Sequence, residues 1–133
     1  MVYFKGRVTK LLVDYFENDF RRITHALEVL KYSEILMENA ENCDNEILVA
    51  SALLHDIGIK QSEEILGYNN GKTQEEYGPP IAEKLLTSIN FPHGKIIKVC
   101  EIIANHHSPS RHDYVELKIL KEADRIVNKL EGG

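Results

Sequence analysis

The chain has 133 residues, 43% hydrophobic and 28% charged, with 16 Lys+Arg against 21 Asp+Glu for a formal charge of −5. This composition excludes a disordered polar segment, and the net acidity argues against broad, non-specific nucleic-acid binding. The length fits a single domain over residues 1–133 that buries about two-thirds of its unfolded surface. Lys5, Arg7, Lys10 and Asp14 interrupt the N-terminal stretch, so it reads as neither a signal peptide nor a membrane span. Two cysteines, Cys43 and Cys100, with no CxxC pair, read as reduced thiols of a cytoplasmic protein.

Pattern and punctuation predict an all-α fold, one compact domain of five to seven helices around a buried central one. Val8 to about Phe16 forms a first short helix, and Glu17-Asn18-Asp19 breaks it and caps the next. Phe20 to about Glu41 is a long amphipathic helix, with Thr24, Glu28, Lys31 and Glu38 in its polar stripe. Asp44 caps a helix from Asn45 to about Asp56. From Ile47 to Leu54 only Ser51 is not apolar, the mark of a helix buried all round. Gly58 stands where a left-handed residue often closes a helix. Ser62 to Leu66 is a short helix, Gly67–Lys72 is the least regular stretch, and Gly67–Gly78 is a candidate mobile pocket rim. Pro79 and Pro80 suit the first turn of a helix to about Ile89. Gly94 to Asn105 is too apolar to face water and is long for a strand, so it reads as a buried helix. After the loop Ser108–His112, Asp113 and Glu116 have capping-box spacing ahead of a last helix, Val115 to Lys129.

Four residues carry charge or lone pairs on otherwise apolar stripes. His25 shares a stripe with Val29, Tyr32 and Leu36, and Asp124 with Leu117, Leu120 and Val127. His55 and Asp56 close the central helix. A carboxylate at the edge of an apolar core is costly unless a positive group compensates it. No equal number of inward basic residues is available. Two imidazoles and two carboxylates from three helices suit a divalent transition metal.

The ordered set His25, then His55-Asp56, then Asp124 resembles the HD superfamily of metal-dependent phosphohydrolases. Leu53-Leu54-His55-Asp56-Ile57-Gly58, Ile102-Ile103-Ala104-Asn105-His106-His107 and Ala123-Asp124-Arg125 support the resemblance, which runs from about Phe20 to Leu130. It implies that His25, His55, Asp56 and Asp124 ligate one tightly bound divalent ion, with Mn, Fe, Ni, Co, Zn or Mg all open. Members with two metals carry further histidines. His106 and His107 stand where two of these occur, but Glu75-Glu76-Tyr77-Gly78 replaces another. Ile59 stands where some nucleotidase members carry a Glu.

The implied chemistry is hydrolysis of a nucleotide or another small phosphate ester by a stand-alone domain. Asp56 both ligates the ion and orients water, and His106, taken as the inner of the two adjacent histidines, is the acid. Arg22, Lys60 and His107 are the candidate substrate-binding residues, with Arg111 and His112 near the pocket mouth and His93 on the surface. Two rivals stand beside this reading. One is a non-catalytic metal-binding regulatory or interaction module, and the other a di-iron oxygenase, which needs the histidine that is missing near Tyr77.

Overall fold

The structure is a computed structural model that describes residues 3–109 and 111–132. Ser110, within the loop expected over Ser108–His112, lies outside the described residues. Seven helices follow one another: α1 (Phe4–Phe16), α2 (Phe20–Met37), α3 (Asn45–Leu54), α4 (Ile59–Leu66), α5 (Gly71–Ser88), α6 (His93–Ile103) and α7 (Val115–Leu130). The all-α expectation holds, and among these helices none is long and apolar enough to cross a membrane.

The fold is wrapped around α3. Every residue from Ile47 to Leu54 is buried, Ser51 included, and α1, α2, α6 and α7 all pack on this helix. Burying a Leu, Ile or Val side chain fully stabilises by about 1.5–3 kcal/mol, so the buried side chains of α3 contribute heavily to the cohesion of the domain. Asp44 caps it as expected, its side chain accepting from the Ile47 N–H at 3.1 Å. Asp19 does the same for α2 through the Arg22 N–H.

The helical turns of α3 end at Leu54, and residues 55–58 form a tight turn into α4. Gly58 is not the left-handed residue expected there, since its φ is −79°. It is needed for contact instead: a Cβ at Gly58 would lie 2.6 Å from the backbone N of Gly78 and 3.0 Å from the Gln74 carbonyl oxygen. The turn carrying His55 and Asp56 is thereby held against α5 by backbone-to-backbone packing.

Helix α1 starts at Phe4 rather than Val8 and α2 ends at Met37 rather than about Glu41, and three further features differ from the sequence reading. First, α5 begins at Gly71, two turns before the prolines, and runs through Pro79 and Pro80. Asn70 and Thr73 form a capping box there, and Thr73 also receives the Ser62 hydroxyl at 2.8 Å. This cap and the close approach of Gly78 to Gly58 in the turn before α4 and to Ile103 of α6 offset the two hydrogen bonds the prolines forgo. The stretch Gly67–Gly78, a candidate mobile rim or an ordinary connecting loop in the sequence reading, is therefore mostly helix. Second, α4 starts at Ile59 rather than Ser62. Third, Asp113 and Glu116 make no capping box. Tyr114 occupies the N-cap of α7 with no side-chain hydrogen bond. Glu116 is buried, accepts from the Asp44 N–H at 2.7 Å and pairs with Lys98 at 2.9 Å, which ties the start of α7 to the start of α3.

Cys43 and Cys100 are free thiols, and burial pushes the Cys100 thiol up to about 11, so it is poorly disposed to ionise.

Candidate functional site

Two helices and two turns deliver the site. The α2–α7 contact sets His25 opposite Asp124, and the turn after α3 inserts His55 and Asp56 between them. The turn after α6 brings His106 from the far side. His25 Nε2 lies 3.0 Å from Asp124 Oδ1 and 3.4 Å from Asp56 Oδ2. His55 Nε2 lies 3.3 Å from Asp56 Oδ2 and 3.4 Å from Asp124 Oδ1. His106 Nε2 lies 3.6 Å from Asp56 Oδ1. The rings of His25 and His55 are 5.4 Å apart, and those of His55 and His106 5.5 Å.

All three imidazoles are held the same way round. His55 Nδ1–H donates to the Ala52 carbonyl at 2.7 Å, and His106 Nδ1–H to the Ile103 carbonyl at 2.6 Å, each reaching back one turn. His25 Nδ1 lies 3.1 Å from both carboxylate oxygens of Glu131, which can only accept, so this nitrogen also carries the proton. With Nδ1–H committed in each ring, Nε2 is the free nitrogen, and it faces the carboxylates of Asp56 and Asp124. His55 Nε2 and His106 Nε2 are buried and make no hydrogen bond. Lone pairs facing carboxylate oxygens at 3.0–3.6 Å require a cation between them, either protons or a metal ion.

Without an ion, protons take that role. Burial opposes the charge on His55, but Asp56 and Asp124 carry its pKa well above the ordinary value. His25 is raised too, burial being outweighed by Asp124, Asp56 and Glu131. Burial likewise opposes the charges of both carboxylates. His55 and His106 nonetheless hold Asp56 well below the usual carboxylate range, and His25 and His55 do the same for Asp124. A set that stays anionic at its oxygens while presenting deprotonatable Nε2 atoms fits a divalent ion. His25, His55 and Asp56 offer ligand atoms within 4.8 Å of one another, and Asp124 joins them through its contacts to both rings.

A second group, Asp56, His106 and His107, also places its ligand atoms within 4.8 Å and shares Asp56 with the first. His106 is the inner of the pair, 5% exposed, while His107 is exposed. Burial and the neighbouring His106 lower the His107 pKa, which favours its neutral form. No histidine of α5 completes this group. Gln74 of α5 stands beside it instead, its Oε1 meeting His107 Nε2. Glu75 clamps the loop by accepting from the backbone N–H of His107 and of Ser108, both at 2.8 Å. Gly71 leaves room for His107, since a Cβ there would lie 2.9 Å from the His107 Cβ.

His25 and Asp56 open into a recess of about 410 Å³ whose walls include Arg21, Arg22, Glu63, Asn69, Asn128 and Glu131. Arg22 stands in it as expected but is engaged: it forks onto both oxygens of Glu63 at 2.9 Å and reaches Asp19 at 3.2 Å. Lys60 does not reach the site. Its ammonium donates to the Tyr15 carbonyl at 3.2 Å and sits over the Tyr15 ring, because position 60 faces α1. Arg111 and His112 line separate depressions, and His112 stacks on Tyr114 at 4.8 Å. His93 is exposed as expected.

The sequence reading missed Glu131, Gln74, Glu75 and Glu63. Glu131 had a signal, since it lies seven residues after Asp124 on the same stripe. The other three are defined by tertiary contacts alone.

The HD domain family model matches residues 22–129, a span that holds all four expected ligands. A search of curated proteins returned no match. Among solved structures, a predicted HD superfamily hydrolase from an uncultured Thermotogales bacterium is similar, with a TM-score of 0.70 and 24% sequence identity. The similarity covers 94% of this chain and 72% of that one, and at this identity it establishes the fold.

Proposed function

The chain belongs to the HD domain family, and from that membership we propose that it is a divalent-metal-dependent phosphohydrolase acting on a nucleotide or another small phosphate ester. The observation that carries this reading is the common orientation of His25, His55 and His106, each with Nδ1–H anchored and Nε2 turned to the carboxylates. Such anchoring fixes the tautomer and raises the basicity of a metal ligand. His25, His55, Asp56 and Asp124 would hold the ion.

When bound, a divalent ion supplies a Lewis acid that polarises a phosphoryl oxygen and lowers the pKa of water. The residues supply the rest. Asp56, only partly exposed to the recess, has a second oxygen, Oδ1, on its His106 side, and that atom orients the attacking water and accepts a hydrogen bond from it. His106 Nε2 is the atom of that ring able to carry a proton, and it delivers this proton to the leaving oxygen of the ester. The cation-bearing wall of α2 offsets the charge on the phosphate.

The test is metal analysis of the purified protein followed by assays on nucleotides and sugar phosphates with added Mn, Ni, Co or Mg. The reading expects bound metal and metal-dependent phosphate release that Asp56→Ala abolishes. Turnover that survives Asp56→Ala, or metal content unchanged in a His25→Ala, Asp124→Ala double variant, would overturn it.

A further inference from the structure

Arg22 is already forked onto Glu63, so it is poorly placed to be the primary anion holder of the recess. Its neighbour Arg21 lines the same recess, is exposed, and makes no ion pair or hydrogen bond among the described residues. Arg21 also lines a second depression of about 360 Å³ together with Phe20, Thr24 and Glu131. The two hollows therefore meet at Arg21 and Glu131. One holds the His25–Asp56 chemistry and is mostly polar. The other presents the ring of Phe20, which is 69% exposed although it opens α2 beside a core of buried apolar residues.

An unpaired guanidinium at the junction of a polar catalytic recess and an aromatic surface suits an amphiphilic ligand, with an anion on one side and a flat group on the other. Resting on the phosphohydrolase reading, we propose that the ester lies across Arg21. Its phosphate sits in the recess over His25 and Asp56, and a ring of its organic part stacks on Phe20. Arg21 and Phe20 are then the specificity-determining residues. Glu63 holds Arg22 aside as a rim of the recess.

The experiment compares a nucleoside 5′-monophosphate with ribose 5-phosphate, which share the same leaving oxygen and differ by the aromatic ring of the base. Wild type is expected to favour the ring-bearing ester in kcat/KM. Arg21→Gln is expected to raise KM for both esters at least tenfold, more than it lowers kcat. Phe20→Ala is expected to raise KM about tenfold for the nucleotide alone. Arg21→Gln with unchanged KM, or Phe20→Ala shifting both esters equally, would overturn the proposal. Calorimetric titration of the metal-loaded protein with the nucleotide and with inorganic phosphate separates the two readings. If wild type hydrolyses no ester, the enzyme reading fails. Weaker phosphate binding in Arg21→Gln and weaker nucleotide binding in Phe20→Ala would then still support the subsite, and unchanged binding in both would end it.

Discussion

Glu131 is the carboxylate that turns His25 toward the centre, and replacing it tests whether that orientation matters. Both of its oxygens stand 3.1 Å from His25 Nδ1, while Nε2 points at Asp124 from 3.0 Å on the opposite side of the ring. Outer partners of this kind contribute about 10–100-fold to metal affinity. Here the carboxylate is 47% exposed, so water can replace part of the bond, and the His25 ring is also wedged between α2 and α7 at 12% exposure. Both facts place the expected loss for Glu131→Ala at the low end, about tenfold, or about 1.4 kcal/mol of binding free energy. Glu131→Gln keeps an acceptor oxygen and is expected to lose about threefold at most. Competition of the apoprotein with a chromophoric chelator for Mn or Co measures both. Equal affinities for wild type and Glu131→Ala, or a Gln variant as weak as the Ala variant, would refute the reasoning.

Other consequences can be measured independently. Leu53→Ala, which empties a site 1% exposed at the middle of the domain, is expected to cost about 2–5 kcal/mol in chemical denaturation, with little change in m. Gly58→Ala drives a Cβ against the Gly78 backbone, which cannot yield as a flexible side chain would. Equilibrium unfolding should show a loss of about 1–3 kcal/mol, and chelator competition a weaker metal site as the His55–Asp56 turn is displaced. Asp44→Ala is expected to cost about 1 kcal/mol near neutral pH through the lost cap of α3. Burial opposes the Asp44 charge, but the Ile47 N–H and Lys95 hold its folded pKa below the ordinary value. Its contribution is therefore present above the unfolded value and fades as pH falls through the folded one, so the variant and wild type should converge in acid. The raised pKa values of His25 and His55 have the opposite sign. Their contribution to the apoprotein is full below the unfolded value and is lost as pH rises through the folded values. Thermal melts should therefore show the apoprotein weakening upward from about pH 6.5 while the stabilisation by added divalent ion grows, because the ion no longer displaces protons.

Local chemistry alone determined much of this protein. The run Ile47–Leu54, apolar but for Ser51, could only be a buried centre, and the caps Asp19 and Asp44 follow from side-chain hydrogen bonding to nearby N–H groups. The stripe positions of His25 and Asp124 followed from helical periodicity, and His106 is the inner of the two adjacent histidines as expected. These are short-range properties, fixed within a few residues of chain. Tertiary structure decided the rest. Helix α5 persists through Pro79-Pro80 because Gly78 meets Gly58 of the turn before α4 and Ile103 of α6 closely enough to offset the missing hydrogen bonds, which no local rule contains. Lys60 turned to α1 and Glu116 left its expected cap for Asp44 and Lys98, since a long charged side chain goes to the partner that the fold brings within reach. Arg22 and Arg21 are adjacent in the chain and equal in charge. Asp19 reaches Arg22 locally, but it takes the arrival of Glu63 from α4, 41 residues on, to fork that guanidinium, while Arg21 stays exposed to the recess.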